Sequence, residues 1–117
     1  MNVYILYMEA DRSIFVETFG GAPYVRVLDF LLTFRDFDYS KSQVAKEAGV
    51  ARATIEKIWK TLLNKGFIAK TRIIGRATMY KLNTKNPEIK ALLELDFKIS
   101  QAKTEEAFNK DKQKILA

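Results

Sequence analysis

Lysine and arginine side chains are the groups in this sequence best suited to chemistry, and one segment concentrates them. From residue 41 to residue 81 there are ten of them against two acids, whereas the rest of the chain has ten bases and twelve acids. A surface that meets no polyanion would more often interleave the two signs. The local excess of positive charge therefore indicates a surface that contacts phosphate groups.

The same segment begins with the spacing of a helix-turn-helix, in the stretch KSQVAKEAGVARATIEKIWK that starts at residue 41. Ala45 is small enough for two helices to cross closely, and Gly49 suits a left-handed turn between them. Apolar residues that would pack the second helix onto the first follow at Val50, Ile55 and Ile58. A generic buried helix pair would need only the apolar residues, so this order favours a helix that enters a DNA groove.

The second helix of this motif is expected to start near Arg52 and to present polar side chains to the groove. Arg52 can bind the O6 and N7 atoms of guanine with two hydrogen bonds, and Thr54 can use its hydroxyl or its methyl group. Ala53 would let the backbone approach closely. Trp59 is expected in the core rather than as a platform for base stacking. The phosphate anchors are predicted to be Lys57 and Lys60, and the alternative for each basic residue is a solvated helix face.

The first helix of the motif would lie against the DNA backbone. Ser40, with Gln43 three positions on, forms a capping box that fixes where this helix begins. In such folds the first helix crosses the backbone. We therefore expect Ser40, Lys41 and Ser42 to position the protein without reading bases.

A hairpin, or wing, is expected after the second motif helix, with strands around residues 67–68 and 79–82 and a turn at Gly75. Its basic residues are Lys70, Arg72 and, at the tip, Arg76. Arginine suits a narrow minor groove, where the negative potential is focused. Arg76 is therefore the leading wing contact, and the alternative is a tip arginine that only solubilises the protein.

Helices on the N-terminal side would support this motif. Residues 3–8 are apolar on every side and could be a short strand or the first turn of a helix. A helix is expected over about residues 12–19, with Asp11 as a candidate cap. Pro23 would open a further helix that forms the spine of the core, followed by a loop over residues 35–39.

A last helix is expected to begin at Pro87, with two apolar stripes. One stripe follows a heptad seam through Leu92, Leu95, Ile99 and Ala102. The other contains Ile89, Leu93 and Phe97. One stripe could pack on the domain while the other meets a second copy, which predicts a homodimer; the alternative is a helix packed wholly on its own domain. Beyond residue 103 the charged tail could fray or extend the helix.

Composition narrows the class of protein. A chain of 117 residues, 48% of them hydrophobic, suffices for one compact domain. The absence of cysteine rules out disulfides and favours a cytoplasmic location. The apolar opening is too short for a signal peptide or a spanning helix, so no membrane partner is expected.

Catalysis is disfavoured because the chain has neither histidine nor cysteine. The common proton shuttle, the thiol nucleophile and the soft-metal ligands are therefore missing. The carboxylates are scattered, and Asp36 and Asp38 are typical of ordinary surface. We expect no enzyme activity, cofactor or metal site, and no polar cluster predicts a small-molecule effector.

Residues 19–100 resemble the small winged helix-turn-helix transcriptional regulators found widely in archaea. The resemblance rests on the runs DYS from residue 38, EAGV from 47, TRIIGRA from 71 and YKLN from 80, and on the Asn-Pro pair at 86. Such proteins are similar in fold to the MarR and ArsR class of dimeric repressors. The resemblance implies DNA contacts by Arg52, Thr54, Lys57, Arg72 and Arg76. In this chain Ala51 replaces an expected serine and Ile73 a commonly basic residue.

The sequence thus predicts a mainly α fold with a small β-hairpin wing: a winged helix-turn-helix with flanking N-terminal and C-terminal helices. The expected parts are an N-terminal extension (1–21), the DNA-binding domain (22–84) and a dimerising C-terminal helix (85–117). The predicted function is sequence-specific binding of double-stranded DNA by a homodimeric transcriptional regulator. The alternatives are a protein-interaction or assembly module and a non-specific chromatin or plasmid-maintenance protein.

Overall fold

The computed structural model describes the backbone of residues 13–116 and the side chains of residues 13–113. These residues form five helices and one three-stranded antiparallel sheet with the strand order β1-β3-β2. The elements are α1 (Ile14–Phe19), α2 (Pro23–Thr33), β1 (Tyr39–Ser40), α3 (Lys41–Ala48), α4 (Arg52–Asn64), β2 (Ile68–Ile74), β3 (Ala77–Leu82) and α5 (Pro87–Leu116). This arrangement confirms the predicted winged helix-turn-helix. The predictions for residues 3–8 and for Asp11 lie outside the described residues.

Ser13 caps the first described helix, α1. Its hydroxyl accepts a hydrogen bond from the Val16 amide at 3.1 Å, so α1 begins at Ile14 and not at residue 12. Serine and aspartate are comparably good caps. From the sequence only Asp11 was named as a candidate cap, and Ser13 was not considered.

Helix α2 is the spine of the core, as predicted. Pro23 occupies its first turn, where the missing amide leaves no hydrogen bond unmade. Val27, Phe30 and Leu31 are almost wholly buried. The ring of Phe30 also contacts Tyr39, at a centroid distance of 5.1 Å, where the chain enters β1. The spine thus holds both the helix-turn-helix and the start of the sheet.

The helix-turn-helix forms as its spacing predicts. The Ser40 hydroxyl accepts a hydrogen bond from the Gln43 amide and caps α3. Gly49 adopts a left-handed backbone (φ 67°), and the Val50 amide then donates to the Ala45 carbonyl at 2.8 Å. Ala45, Val50, Ile55 and Ile58 are all buried, which confirms their predicted packing role.

The sheet contains the predicted hairpin and one strand that the sequence did not predict. Strands β2 and β3 pair around Gly75, from Ile68 opposite Leu82 to Ile74 opposite Ala77. The predicted loop at residues 35–39 ends instead in β1, where Tyr39 pairs with Tyr80. Two residues are too few to show an alternating pattern, so β1 follows from its partner strand and not from its own sequence.

Asn86 fixes the start of α5 against the end of α4. Its side-chain oxygen accepts from the amides of Glu88 and Ile89, while its side-chain nitrogen donates to the Lys65 and Gly66 carbonyls. The helix then runs unbroken through the charged tail to Leu116. None of the described helices is both long and apolar enough to cross a bilayer.

The two stripes predicted on α5 do not divide into one face packed on the domain and one exposed face. Ile89 is fully buried, and Leu92 and Leu93, which belong to different stripes, both pack on the core. Farther along, Leu95 and Phe97 are exposed, again one from each stripe. Ile99 is half-buried and lines a groove with Glu17 and Thr18 of α1, so each stripe contains both covered and exposed residues.

Arg26 ties the helix-turn-helix to α2, a role that sequence spacing did not reveal. Its guanidinium donates to the Ala48 carbonyl at 3.0 Å, to the Gly49 carbonyl at 2.9 Å and to the Gly21 carbonyl at 2.8 Å. Two of these acceptors lie at the end of α3 and in the turn before α4. One planar side chain therefore satisfies the carbonyls at the end of α3 and positions the turn.

Replacing Gly49 with alanine should destabilise the fold by about 1 kcal/mol, because a side chain disfavours the left-handed backbone although a Cβ there would meet no neighbour. Gly21→Ala is the matched control, since its backbone is not left-handed and its Cβ would make only ordinary contact with Val16. Urea denaturation measures both variants. Equal stability of the two would contradict the role of Gly49.

Replacing Arg26 with lysine should lower the free energy of unfolding by about 1–2 kcal/mol, because an ammonium group cannot reach three carbonyls at fixed positions. Arg35→Lys is the control, since Arg35 is exposed and its guanidinium donates to the Leu32 carbonyl within its own part of the chain. Thermal and urea unfolding report the difference. A wild-type midpoint for the Arg26 variant would refute the positioning role.

Candidate nucleic-acid interface

Two open grooves join predicted DNA contacts into one surface. The first, about 530 Å³, lies between the start of α3 and the wing tip, and Ser40, Ser42 and Arg76 line it. The second, about 470 Å³, lies between the starts of α3 and α4, and Ser42 and Arg52 line it. Lys41 borders both grooves. The first turn of α3 thus connects α4 to the wing on a continuous face.

Helix α4 presents its polar side chains outward because its apolar face is buried in the core. Ile55, Ile58 and Leu62 form the inward side. The exposed predicted contacts on this helix are Arg52, Ala53, Lys57 and Lys60. Thr54 is half-buried, so less of its surface is available to a groove than that of its neighbours.

Trp59 belongs to the core, as predicted, and not to the interface. It is 3% exposed, and its ring meets Tyr80 edge-on at a centroid distance of 5.3 Å. Its indole nitrogen is buried without a hydrogen-bond partner among the described residues. The contact joins the middle of α4 to β3, so the helix and the wing share one packed base.

The first turn of α4 lacks a side-chain cap. Ala51 holds the cap position with extended backbone and has no side chain that can accept a hydrogen bond. The serines that cap α1 and α3 both accept from a backbone amide. The uncapped amides and the positive end of the helix dipole favour an anion at this exposed turn, next to Arg52.

Lys41 is engaged within the protein, which its sequence position did not reveal. Its ammonium group lies 2.7 Å from the Glu56 carboxylate and so bridges the starts of α3 and α4. Both side chains are partly exposed, so solvent screens the pair and its contribution is at most about 1 kcal/mol. Lys41 remains on the interface with part of its charge balanced by Glu56.

The wing tip combines charge with apolar side chains. Gly75 makes the turn with φ at 60°, and the exposed Arg76 follows it. Ile73 and Ile74 are 59% and 50% exposed. Ile74 faces the first groove with Arg76, whereas Ile73, as its neighbour in a strand, points to the other side. Lys70 is exposed nearer the base of the wing.

Asp38 is a residue of this surface whose contacts the sequence analysis did not predict. Its carboxylate accepts hydrogen bonds from Arg72, through Nε at 2.8 Å and a terminal nitrogen at 3.0 Å, and from the Thr71 hydroxyl at 2.6 Å. The bonds from Arg72, then Thr71, lower the pKa of Asp38 to about 2. The prediction that Asp38 is ordinary surface is wrong, and Arg72, predicted to contact DNA, is held within the protein. No local pattern connects residues 34 positions apart.

Metal-binding side chains do not cluster in the described part of the chain: no group of three acids, histidines or cysteines occurs there. Most polar groups that line the two grooves are cations and hydroxyls, and the acids there, Glu56 and nearby Asp38, each pair with a basic side chain. Cations and hydroxyls bind anions and donate hydrogen bonds. The arrangement therefore suits recognition of a polyanion by contact.

Solved structures with the same fold include two transcription regulators and a protein bound to DNA. MepR, a regulator of the Staphylococcus aureus multidrug efflux pump MepA, is 16% identical, with a TM-score of 0.56 over 81% of this chain and 76% of that one. A Lactococcus lactis ZitR mutant in complex with DNA is 16% identical, with a TM-score of 0.54 over 78% and 66% of the two chains. A MarR-family transcriptional regulator from Silicibacter pomeroyi is 17% identical, with a TM-score of 0.53 over 83% and 65%.

These likenesses establish the fold. No family model matches the sequence, and no curated protein matches it significantly. The chain spans 65% of the length of the Silicibacter pomeroyi regulator. The neighbours give no support for the archaeal affinity that the sequence resemblance implied. In structure, the chain is a winged helix-turn-helix whose neighbours include transcription regulators, one of them of the MarR family.

Proposed function

We propose that this protein is a transcription regulator that binds double-stranded DNA with sequence preference, as a homodimer. The observation that carries the proposal is the continuous basic face formed by α4, the first turn of α3 and the wing tip. Its cations include Arg52, Lys57, Lys60 and Arg76, all exposed. An exposed helix beside a second helix and a projecting hairpin is the shape that a major groove and its adjoining backbones accept.

The roles of the side chains follow from their positions. Arg52 and Ala53 lie at the exposed start of α4, where a recognition helix meets base edges. Lys57 and Lys60 lie one and two turns farther, where the helix leaves the groove floor and the backbone comes close. Ser42, at the junction of the two grooves, is placed to donate to a phosphate. Arg76 is placed for the minor groove.

The proposed dimer rests on the part of α5 that its own domain leaves uncovered. Phe97 and Phe108 are 68% and 66% exposed, and Leu95 is also exposed. Ile99 and Ala102 line an open groove with Glu17 and Thr18 of α1. Large apolar side chains in one helix gain free energy when a second copy buries them. A two-fold dimer would also set the spacing between two recognition helices.

Binding should weaken steeply with salt, because the four exposed cations named above would each release counterions on meeting a phosphate. The expected slope of log K against log salt concentration is about −4 or steeper for each subunit. Fluorescence anisotropy with duplexes selected from genomic DNA measures it between low and moderate salt. A flat response, or a partner protein retained after nuclease treatment, would favour an interaction module instead.

Substituting Arg52 and Lys60 should have different effects. Arg52→Ala should reduce the preference for the selected duplex over random duplex by about 1–3 kcal/mol, because it removes a base contact. Lys60→Ala should weaken both duplexes alike and reduce the salt slope by about 1, because it removes a phosphate contact. Lys98→Ala, exposed on α5, is the control and should change neither. Identical effects of the first two changes would refute the assignment of roles.

A further inference from the structure

Asp38 joins the wing to the helix-turn-helix. It lies directly before β1, and β1 leads without a break into α3. Its carboxylate accepts three hydrogen bonds, of 2.6 to 3.0 Å, from two neighbouring residues of β2. We call Asp38, Thr71 and Arg72 the wing clamp. Through this clamp the Asp38 side chain, just before β1, holds β2, the strand that lies farther from β1 in the sheet.

A β-bulge makes the wing clamp possible. In a regular strand Thr71 and Arg72 would point to opposite faces and could not both reach one carboxylate. The pairing of β2 with β3 shifts between Lys70 and Arg72, which leaves Thr71 as the extra residue. The shift turns both side chains toward Asp38. The irregularity in β2 thus serves the contact with Asp38.

The wing needs such a contact because little else supports it. Strand β1 pairs only Tyr39 and Ser40 with Tyr80 and Met79, so the rest of the hairpin is a two-stranded ribbon. Isolated two-stranded hairpins are marginally stable in water and twist easily. Arg76 lies at the end of this ribbon. A small rotation at its base would displace the tip from the minor groove.

We propose that Asp38 is a positioning residue for DNA recognition. Through the wing clamp it fixes the distance between the wing tip and α4. It also keeps Arg72 bonded within the protein, so that Arg72 does not contact a phosphate. The proposal rests on the proposed DNA-binding function. The new element is that an acidic residue on the basic face has a favourable role in binding. An acid beside DNA would otherwise only repel the phosphates.

The geometry of the wing clamp distinguishes it from an ordinary surface ion pair. Arg72 is 63% exposed, but the Asp38 side chain is only 13% exposed and receives a two-pronged contact. Bidentate pairs fix orientation as well as distance. Hydrogen bonds from Arg72 and Thr71 lower the pKa of Asp38, so the carboxylate stays ionised even at pH values below the ordinary carboxyl pKa. The clamp is lost only as the pH falls toward about 2, far below the range in which DNA binding is measured.

The decisive variant is Asp38→Asn, because the proposal and simple electrostatics predict opposite signs. Removal of an acid from a DNA-binding face should by itself strengthen binding. If Asp38 positions the wing, the variant should bind the selected duplex roughly tenfold more weakly while its affinity for random duplex is unchanged or increased. Asp36→Asn removes the same charge two residues earlier, at an exposed side chain, and should not weaken binding. Stronger binding of the selected duplex by Asp38→Asn would overturn the proposal.

A double-mutant cycle tests whether Arg72 acts through Asp38 or contacts a phosphate itself. If Arg72 acts through Asp38, the double variant Asp38→Asn with Arg72→Gln should bind the selected duplex no more weakly than either single variant. If Arg72 instead contacts a phosphate, Arg72→Gln should weaken random duplex as well and reduce the salt slope by about 1. Arg72→Lys keeps the charge but not the two-pronged contact, so it should resemble Arg72→Gln. Additive losses would overturn the proposal.

Nuclear magnetic resonance of the protein without DNA separates this proposal from the proposed function. The Arg72 Nε–H signal should exchange slowly with solvent, unlike that of the exposed Arg76, and Asp38→Asn should abolish this protection. The amides of Gly75 and Arg76 should also become more mobile in the variant. A wild-type protein that binds no duplex but shows this protection would refute the DNA-binding function and leave the clamp intact. Rapid exchange of Arg72 Nε–H would refute the clamp whatever the protein binds.

Discussion

The close crossing of α3 and α4 is the constraint on which the rest of the molecule depends. Ala45 at the crossing and Gly49 in the turn let the two helices approach until Val50 and Ile55 are buried between them. That packing decides which side of α4 faces solvent, and so which side chains can meet a ligand. Arg26 reinforces it from outside the motif by holding the carbonyls at the end of α3. The small residues Ala45 and Gly49 and the buried contact between α3 and α4 therefore determine which polar side chains the surface presents.

Two kinds of interaction support the two parts of the basic face. Helix α4 is held by apolar burial, which is insensitive to salt and spread over many contacts. The outer wing has no apolar core, since every residue of β2 after Ile68 is exposed. It relies on backbone pairing and on the polar contact with Asp38. In the proposed complex with DNA, α4 would therefore keep a fixed position, while the position of the wing tip would depend on one carboxylate.

The sequence predicted the features that depend on near neighbours. Ser40 with Gln43, Pro23 at a helix start and Gly75 at the hairpin turn each express a local backbone requirement, and each is present as predicted. It did not predict the strand at Tyr39, the bonds of Arg26 to carbonyls 22 and 23 residues away, or the pair between Asp38 and Arg72. These depend on which segments the fold brings together. A charge pair leaves no periodic pattern in a sequence. Arg72 was therefore grouped with the predicted DNA contacts, although in the structure it bonds to Asp38.

The way α5 packs on its own domain determines which of its apolar side chains remain exposed. Asp96 of α5 is half-buried, and its pKa is raised by burial and by the nearby Asp29, while Arg35 opposes the shift. A raised carboxyl pKa means that the folded state disfavours the ionised form, so at neutral pH this contact opposes the docking of α5 on α2. The apolar residues Leu92 and Leu93, just before it, must offset that cost. Beyond Asp96 the side chains of Phe97 and Phe108 are exposed, although Ile99 and Ala102 line a groove with α1. A helix that leaves large apolar side chains exposed would gain free energy if the proposed second copy, presenting the same surface, buried them.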